Sequence, residues 1–293
     1  MMNMKMHLLN LLPDRLYVPL VFFVRYRRFP NLRKPVRWAD KIQWLKLNGH
    51  MERFAQYADK YTVRAYVEEK IGAQHLIPLI GAWDTFDEIP FDELPGQFVL
   101  KVTHGCGYNF ICKDKSKLDL GMLRAKITGW QQEDFYKQER EPQYKDSPRK
   151  IVCEQYLADP RTGDLPDYKF YCVKGEPKVA QVDTDRFTDH KSAFLEIDTW
   201  KPIDYMYIAT FEVPSDLPPK PRNLLHMLDI ARKLSADFPF VRVDLYSVGD
   251  KVYFGELTFT PGSGWVDFRP VSGEIRFGQM IDINDYKLAA GKV

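Results

Sequence analysis

Cysteine is scarce in the 293-residue sequence, and no two cysteines form a CxxC pair. The four are Cys106, Cys112, Cys153 and Cys172. A structural zinc site needs paired ligands at short spacing, and a disulfide framework needs a denser, secreted pattern. We therefore expect reduced and mostly buried thiols in a cytosolic protein.

An excess of charge of one sign is also missing. Lysine and arginine number 42 and aspartate and glutamate 40, which gives a formal net charge of +2. Proteins that bind nucleic acid usually carry a strong basic excess, so we expect no nucleic acid partner. Hydrophobic residues make up 45% of the chain and charged residues 28%, which is typical of a globular protein and excludes a disordered one.

Long apolar runs are absent as well. The longest, at residues 16–24, contains Pro19 and is far shorter than the roughly 20 residues of a membrane-spanning helix. A basic stretch without acidic residues follows at 25–37. Two interpretations stay open here: an apolar wedge that rests on an anionic lipid surface, or a helix packed on its own domain before a solvated basic loop. No cleavage site for secretion follows, so we expect a cytoplasmic protein, peripheral at the inner face of the membrane in the first interpretation.

Familiar nucleotide-binding motifs are missing too, since no GxGxxG follows the first strand and no GxxxxGK[ST] occurs, so Rossmann and P-loop folds have no support in the sequence. Hairpins without a strict βαβ alternation indicate an α+β fold. The polar stretch at 139–150 predicts a surface loop. Apolar periodicity predicts helices at 38–70, 118–130 and 222–236 and strands at 97–102, 110–112, 151–156, 168–173, 177–182, 240–246 and 251–257.

The most informative segment is the last predicted hairpin. Arg242 and Asp244 are two residues apart on one strand, so their side chains share a face. Glu256 and Thr258 do the same on the next strand, and the hairpin can bring Asp244 close to Glu256. Carboxylate and hydroxyl oxygens suit Mg²⁺, and Arg242 supplies a fixed cation for a phosphoryl or acyl transition state. The alternative is a surface hairpin with a salt bridge.

Two lysines are candidate phosphate ligands. Lys101 leaves a predicted strand and enters the loop at 103–109, THGCGYN, whose glycines let the backbone approach a phosphate. The alternative is an exposed lysine at a strand end. Lys60 and Arg64 lie in a predicted helix, where the alternative is a solvated face with i,i+4 charge pairs.

These features occur in one order along the chain, namely DK at 59–60, VLK at 99–101, CEQYL at 153–157, RVD at 242–244 and ELTFTPGSG at 256–264. The set resembles the ATP-grasp superfamily, and more closely its TupA-like branch, named for teichuronopeptide biosynthesis and found with polysaccharide genes. The resemblance covers roughly residues 38–264. It implies an ATP-grasp fold of two α/β lobes that clamp a nucleotide. The lobes are expected at 51–152, with the glycine-rich loop, and at 153–293, with the metal site, after a helical and basic segment at 1–50.

The resemblance also implies roles for single residues. The residues that would bind ATP phosphates are Lys60, Lys101 and Lys191, with the loop residues Thr103, His104, Gly105 and Gly107 closing over them. Those that would meet adenine and ribose are Glu154, Gln155, Tyr156, Leu157 and Asp167. Those that would hold Mg²⁺ are Asp244, Glu256 and Thr258, the last at a position where the family commonly has Asn. Arg242 and Lys101 would serve the reaction itself.

The implied activity is an ATP- and Mg²⁺-dependent carboxylate–amine ligase that works through an acyl phosphate. We expect the carboxylate to be a uronic acid of a surface polysaccharide or its precursor, and the amine to be an amino acid. The turn at 261–264 offers backbone N–H groups to an anion, and we predict substrate contacts from Arg186, Ser263 and Gly264. A rival interpretation is a glycosyltransferase that uses Asp183-Thr184-Asp185 as a DxD metal and nucleotide-sugar site. A third is a nucleotide-binding scaffold without catalysis.

Overall fold

The computed structural model describes residues 10–159, 163, 165–184, 191–210 and 219–289. In these residues it combines helices with antiparallel sheets, which confirms the α+β class. The helices are α1 (Asp14–Tyr26), α2 (Trp38–Asn48), α3 (Ala55–Ala58), α4 (Val63–Ile71), α5 (Leu120–Gln132), α6 (Phe135–Glu139), α7 (Leu224–Ser235), α8 (Val271–Gly278) and α9 (Ile283–Ala289). The strands are β1 (Leu79–Trp83), β2 (Phe98–Val102), β3 (Asn109–Cys112), β4 (Ile151–Gln155), β5 (Asp167–Val173), β6 (Glu176–Thr184), β7 (Lys191–Glu196), β8 (Tyr207–Ile208), β9 (Phe240–Val248), β10 (Lys251–Thr258) and β11 (Phe268–Arg269).

The first sheet has four strands in the order β1-β4-β2-β3. Alternate residues of β2, Phe98 and Leu100, are fully buried in a cluster that includes Leu123 and Ile127 of α5. The apolar side of the sheet therefore packs on α5, as the period-2 pattern of the strand requires. The lobe boundary predicted between residues 152 and 153 falls inside β4, so this sheet extends to Gln155.

The second sheet has five strands in the order β10-β9-β5-β6-β7. Phe170 pairs with Val243 on one face, where Cys172 contacts Ser235 of α7. Lys169 pairs with Asp244 on the opposite face. Because successive residues of a strand point to opposite sides, the polar side chains of neighbouring strands line up on the face away from α7.

The continuous helix predicted at 38–70 is wrong, because the chain breaks it twice. His50 has a φ of +51° just after α2 ends. After α3, the Asp59 carboxylate accepts hydrogen bonds of 2.9 Å from the backbone N–H groups of Tyr61 and Thr62. Such local side-chain bonds compete with helical ones. The second break leaves Lys60 outside any helix.

The surface loop predicted at 139–150 is also wrong in part, since Arg140, Glu141 and Gln143 are at most 5% exposed. The Thr260 hydroxyl donates a hydrogen bond to Glu141, and its oxygen accepts one of 2.7 Å from the side-chain amide of Gln143. A polar segment can be buried when its groups are hydrogen-bonded in this way. It therefore forms part of an internal wall.

Helix α1 packs on the rest of the chain. Its buried Tyr17 and Val18 lie in one cluster with Leu47 and Trp265. One side of α1 therefore packs on its own domain, as in the second interpretation of the N-terminal segment. Among the described residues, no helix combines the length and apolar character that a membrane crossing requires.

The cysteine prediction is confirmed for the state and burial of the thiols. Cys112, Cys153 and Cys172 are buried, and Cys106 is exposed. All four are free.

Candidate active site

Two adjoining cavities lie between the four-stranded and five-stranded sheets. The polar cavity has a volume of about 130 Å³, and the apolar cavity about 170 Å³. Both are lined by Ile77, Lys101, Asn109, Glu154 and Tyr246. Residues from both sheets therefore meet in one cleft.

Three cations point into the polar cavity, and two of them hold the same carboxylate. Lys101 Nζ lies 2.5 Å from Glu154 Oε2, and Arg64 Nη1 lies 3.1 Å from Glu154 Oε1. Lys60 Nζ donates to the carbonyl oxygen of Gly105, and burial lowers the pKa of Lys60. The alternatives of a solvated helical face and of an exposed strand-end lysine are thus wrong, because these side chains turn inward.

The glycine-rich loop reaches the polar cavity through its middle and its end. Cys106, Gly107 and Asn109 line the cavity. Thr103 donates a 2.7 Å hydrogen bond to the carbonyl oxygen of Pro148, and the ring of His104 lies 3.0 Å from the carbonyl oxygen of Glu133. Burial lowers the pKa of His104. Both side chains therefore fix the start of the loop and do not face the cleft.

The apolar cavity follows the end of β4. Gln155, Tyr156 and Leu157 line it, together with the apolar side chains of Val99 and Ile111. A slot of this kind suits a planar heterocycle, because the walls are apolar and the strand end supplies backbone polar groups. Glu154 was predicted to meet the amine of such a ring, but its carboxylate contacts Lys101 and Arg64 instead.

A row of polar side chains crosses the five-stranded sheet on the face away from α7; we call it the polar row. Arg242 is its centre, with Nε 2.7 Å and Nη2 2.6 Å from the two carboxylate oxygens of Asp244. The same Nη2 lies 3.0 Å from Glu256 Oε1 and 3.0 Å from the hydroxyl of Thr258. The predicted pairing of the hairpin is confirmed, since Glu256 lies opposite Asp244 and Thr258 opposite Arg242.

Lys169 extends the polar row to two more carboxylates, those of Asp167 and Asp183, and also approaches Asp244. Its Nζ pairs with Asp167 and lies 3.2 Å from Asp183 and 3.7 Å from Asp244. The lysine is 5% exposed, and although burial opposes its charge, the carboxylates raise the pKa of Lys169. The sequence signal for it is the two-residue spacing from Asp167, which directly precedes the predicted strand at 168–173; where the strand begins at Asp167, as it does here, both side chains share one face.

The acids of the polar row have different environments. Burial would raise the pKa of Glu256, but the charges of Arg242, Lys60 and Lys169 lower it to about 2. Burial raises the pKa of Asp244, against the charges of Arg242 and Lys169. Glu256 is therefore ionised at neutral pH, and it lines the polar cavity together with Lys60 and with Asp167, the acid that the resemblance assigns to the ribose.

The predicted metal ligands fit Mg²⁺ unequally. The side chain of Glu256 is 38% exposed, whereas that of Asp244 is 2% exposed and accepts bonds from Arg242 with both oxygens. Within the described residues no group of three or more His, Cys, Asp or Glu side chains is arranged to hold a metal. Mg²⁺ is often bound by one or two carboxylates with substrate phosphates and water completing the shell. Glu256 suits that type of site, while Asp244 positions Arg242.

A third cavity, of about 430 Å³, opens on the other side of Arg242. Its walls contain Glu256, Thr258 and Ser263 from the predicted site. They also contain residues that sequence patterns do not indicate, namely Arg25 of α1, Glu139, Glu141 and Trp265. Gly264 does not line this cavity; its carbonyl oxygen accepts a 3.2 Å hydrogen bond from the side chain of Gln43.

The remaining predicted residues lie apart from the cleft or outside the described residues. Lys191 begins β7 opposite Thr184 and does not line any of the three cavities. Asp183 is buried, with Lys169 at 3.2 Å and a 2.9 Å hydrogen bond from Gln181. Asp185 and Arg186 fall outside the described residues, so the DxD motif is described only in its first two positions.

Solved structures of three ligases are similar to the chain. D-alanine–D-alanine ligase from Helicobacter pylori has 13% identity and a TM-score of 0.39, with 77% of this chain and 61% of that chain covered. The same enzyme from Bacillus anthracis, complexed with ATP, has 16% identity and a TM-score of 0.40, with 70% and 54% covered. Phosphoribosylamine–glycine ligase from Thermotoga maritima has 12% identity and a TM-score of 0.39, with 72% and 51% covered. The chain thus spans between about half and three fifths of the length of these proteins.

A family comparison is more specific. No curated protein matched the chain. The model of the family described as TupA-like ATPgrasp matches residues 40–282, which contain the three cavities except for Arg25. The match covers most of the sequence and includes both lysines of the polar cavity and the whole polar row. The chain therefore belongs to the TupA-like ATP-grasp family.

Proposed function

We propose that the chain is an ATP-dependent carboxylate–amine ligase. The γ-phosphoryl group of ATP passes to a substrate carboxylate, which gives an acyl phosphate and ADP, and an amine then displaces phosphate to form an amide. The observation that carries the proposal is the meeting of Lys60, Lys101 and Glu256 in one cavity, with an apolar slot on one side and the Arg242 cavity on the other.

The nucleotide is proposed to occupy the polar and apolar cavities. The adenine ring enters the slot beside residues 155–157, whose walls are apolar. The phosphates lie between Lys60 and Lys101, next to the backbone of Gly107. A phosphate there competes with Glu154 for Lys101, because the same ammonium group would bond either the phosphate oxygen or the carboxylate oxygen.

The polar row is proposed to serve the transfer itself. Glu256 is the residue best suited to hold Mg²⁺, which would supply positive charge to the phosphate oxygens. Arg242 stabilises negative charge that develops at its side of the cleft. Asp244 holds Arg242 by two hydrogen bonds, so the guanidinium is oriented before substrate arrives.

The third cavity is proposed to hold the two other substrates. Arg25 and Arg242 match a carboxylate, whereas Glu139 and Glu141 match an ammonium group. The aromatic surface of Trp265 suits the apolar face of a sugar ring. We therefore propose a uronic acid of a surface polysaccharide or its precursor as the carboxylate and an amino acid as the amine. Because ATP is the phosphoryl donor, we place the reaction in the cytoplasm.

The decisive experiment supplies ATP, Mg²⁺, a hexuronate-containing acceptor and pooled amino acids, and measures ADP, phosphate and the product mass. ADP and phosphate in equal amounts, with the mass gain of an amide, support the ligase. Turnover only with a nucleotide sugar would refute it in favour of a glycosyltransferase. Nucleotide binding without turnover on a broad panel of carboxylates and amines would refute it in favour of a scaffold.

Variants test whether the site has been assigned correctly. We expect Lys101→Met and Glu256→Gln each to lower kcat/KM at least about 100-fold, because each removes a charge that acts on the transferring group. The matched control is Lys117→Met, whose side chain is 83% exposed and lies outside the cavities. Equal activity of Lys101→Met and Lys117→Met would mean that the phosphates bind elsewhere.

A further inference from the structure

Helix α1 carries an exposed apolar face. Leu16 is 56% exposed, Leu20 41%, Phe23 40% and Val24 61%. At 3.6 residues per turn these four positions lie within about 100° of one another around the helix. They therefore form one stripe and not a scatter of single apolar residues.

The other side of the same helix is already covered. Tyr17, Val18 and Phe22 are buried, and the ring of Phe22 lies 6.1 Å from that of Trp265. A helix that is apolar around most of its circumference is normally covered on all sides. In the described part of the chain only one side of α1 is covered.

The segment after α1 extends the stripe. Phe29 is 60% exposed, and its ring stacks on that of Phe23 at a centroid distance of 4.9 Å. The stripe thus has two adjacent aromatic rings at the end of the helix that precedes the basic stretch. We name Leu16, Leu20, Phe23, Val24 and Phe29 together the apolar stripe.

Exposed cations flank the apolar stripe. Arg27, Arg33 and Lys34 are exposed, and none forms an ion pair with another described residue, whereas Arg28 and Arg37 pair with Asp40 and Glu274. Arg27 is the residue directly after α1. Lys34 is five residues beyond Phe29, a span of at most about 18 Å of chain.

We propose that the apolar stripe and the cations Arg27, Arg33 and Lys34 form a docking face for an anionic lipid surface. A helix that lies in the membrane interface buries its apolar side at the level of the headgroups while its basic residues meet lipid phosphates. The stripe and the flanking cations supply these two elements.

A second copy of the chain is a poorer occupant. A two-fold dimer places the same patch against itself, so the cations of one copy would lie against the basic patch of the other. Like charges repel, and no acidic residue occurs between 25 and 37 to compensate them. An anionic leaflet covers the apolar stripe and neutralises the cations at once.

Docking in this way brings the third cavity to the lipid surface. Arg25 projects from α1 toward that cavity, with its guanidinium 4.7 Å from the ring centre of Trp265. One helix diameter, about 10 Å, therefore separates the lipid from the cavity wall.

The experiment is sedimentation of the full chain with vesicles of phosphatidylglycerol and phosphatidylcholine in equal parts, and with pure phosphatidylcholine vesicles. We expect binding to the anionic vesicles only, lost at about 1 M salt, where the screening length falls to about 3 Å. Absence of binding to the anionic vesicles, or equal binding to both kinds, would overturn the proposal.

Two pairs of variants test the two elements of the docking face. Leu16→Glu with Val24→Glu should weaken vesicle binding at least about tenfold, because it places charges on the stripe. Its control is Met122→Glu with Leu225→Glu, which are 73% and 81% exposed on α5 and α7. Arg33→Gln with Lys34→Gln should weaken binding by about fivefold per charge.

The control for the charge pair is Lys178→Gln with Lys251→Gln, two exposed lysines of β6 and β10. Equal loss in test and control variants would refute a specific docking face. Analytical ultracentrifugation provides the remaining check: a dimer that the Leu16→Glu/Val24→Glu variant abolishes would assign the stripe to a second copy and overturn the lipid proposal.

Discussion

Lys169 is predicted to hold the polar row together, and Lys169→Met tests this. Lys169 is 5% exposed, and its ammonium contacts Asp167, Asp183 and Asp244, which come from three different strands. Methionine keeps the length and apolar stem of the side chain and removes only the charge. The substitution therefore leaves three carboxylates facing one another in the interior.

The expected magnitude follows from the distances. Two unit charges about 4 Å apart interact by about 4 kcal/mol at an effective dielectric constant of about 20. Asp183 and Asp244 lie at 3.2 and 3.7 Å from Nζ, but burial of the ammonium opposes this gain by several kcal/mol. Removal of one partner from such a buried cluster costs about 3–5 kcal/mol. That is a large share of a typical free energy of unfolding of about 5–15 kcal/mol.

The assay is urea unfolding of Lys169→Met beside Lys178→Met. Lys178 is an exposed lysine of β6, and its substitution should change the free energy of unfolding by no more than about 0.5 kcal/mol. Adding Asp183→Asn to Lys169→Met should restore part of the loss, with a coupling energy of at least about 1 kcal/mol, because one carboxylate is then neutral. Equal stability of the two lysine variants would refute the charge-balanced row.

Three further predictions concern the cleft and its loops. Because the folded-state pKa of Glu256 is lowered from 4.5 to about 2, its ionic stabilisation is present above pH 4.5 and is lost as the pH falls toward 2. Because the side chain of Glu256 is 38% exposed, solvent screening limits this stabilisation to about 1–2 kcal/mol. The difference in free energy of unfolding between wild type and Glu256→Gln should therefore become smaller between about pH 7 and about pH 3. A difference that stays constant over this range would contradict the prediction. Cys106 is an exposed residue, but it lines the polar cavity, where desolvation of its thiol and the charge of Glu256 raise the pKa of Cys106 to about 11. Its alkylation at about pH 8 should therefore be about 10- to 100-fold slower than that of an ordinary thiol, with Cys106→Ser as the blank. In urea unfolding, Gly264→Ala should lower the free energy of unfolding by at least about 1 kcal/mol more than Gly107→Ala. Both glycines have a positive φ, but only at Gly264 would a Cβ lie 2.7 Å from another side chain. Equal losses of stability would contradict the packing at Gly264.

The hairpin shows what a sequence can predict about a site. Arg242, Asp244, Glu256 and Thr258 lie on two strands joined by a short turn, so strand periodicity and a local register suffice to place them together. The shared face and the pairing of Asp244 with Glu256 follow from these two rules. These rules do not predict which charges pair, because Arg242 contacts all three of the other residues at once.

Burial of the polar segment at 139–150 could not be predicted for a related reason. Its composition is that of a loop, and its partners are remote, since Glu141 bonds Thr260 across 119 positions and Arg140 bonds Asp14 across 126. A buried polar group is tolerated only when it is paired, so its location depends on residues that no local window contains. The same holds for the break at Asp59, where a single side chain replaces helical hydrogen bonds.

Glu154 shows how such remote pairs change the interpretation of a site. The family resemblance implies an adenine contact for Glu154, but Glu154 bonds Lys101 across 53 positions and Arg64 across 90. Each cation takes a different carboxylate oxygen, so loss of one bond leaves the atoms of the other in place. If a phosphate takes Lys101, as proposed for ATP, the bond from Arg64 would hold Glu154, and Arg64 is itself fixed by a 3.0 Å hydrogen bond to the carbonyl oxygen of Ile77. Arg64, which by its helical spacing resembles a solvated surface charge, would then keep the cleft ordered while Lys101 changes partner.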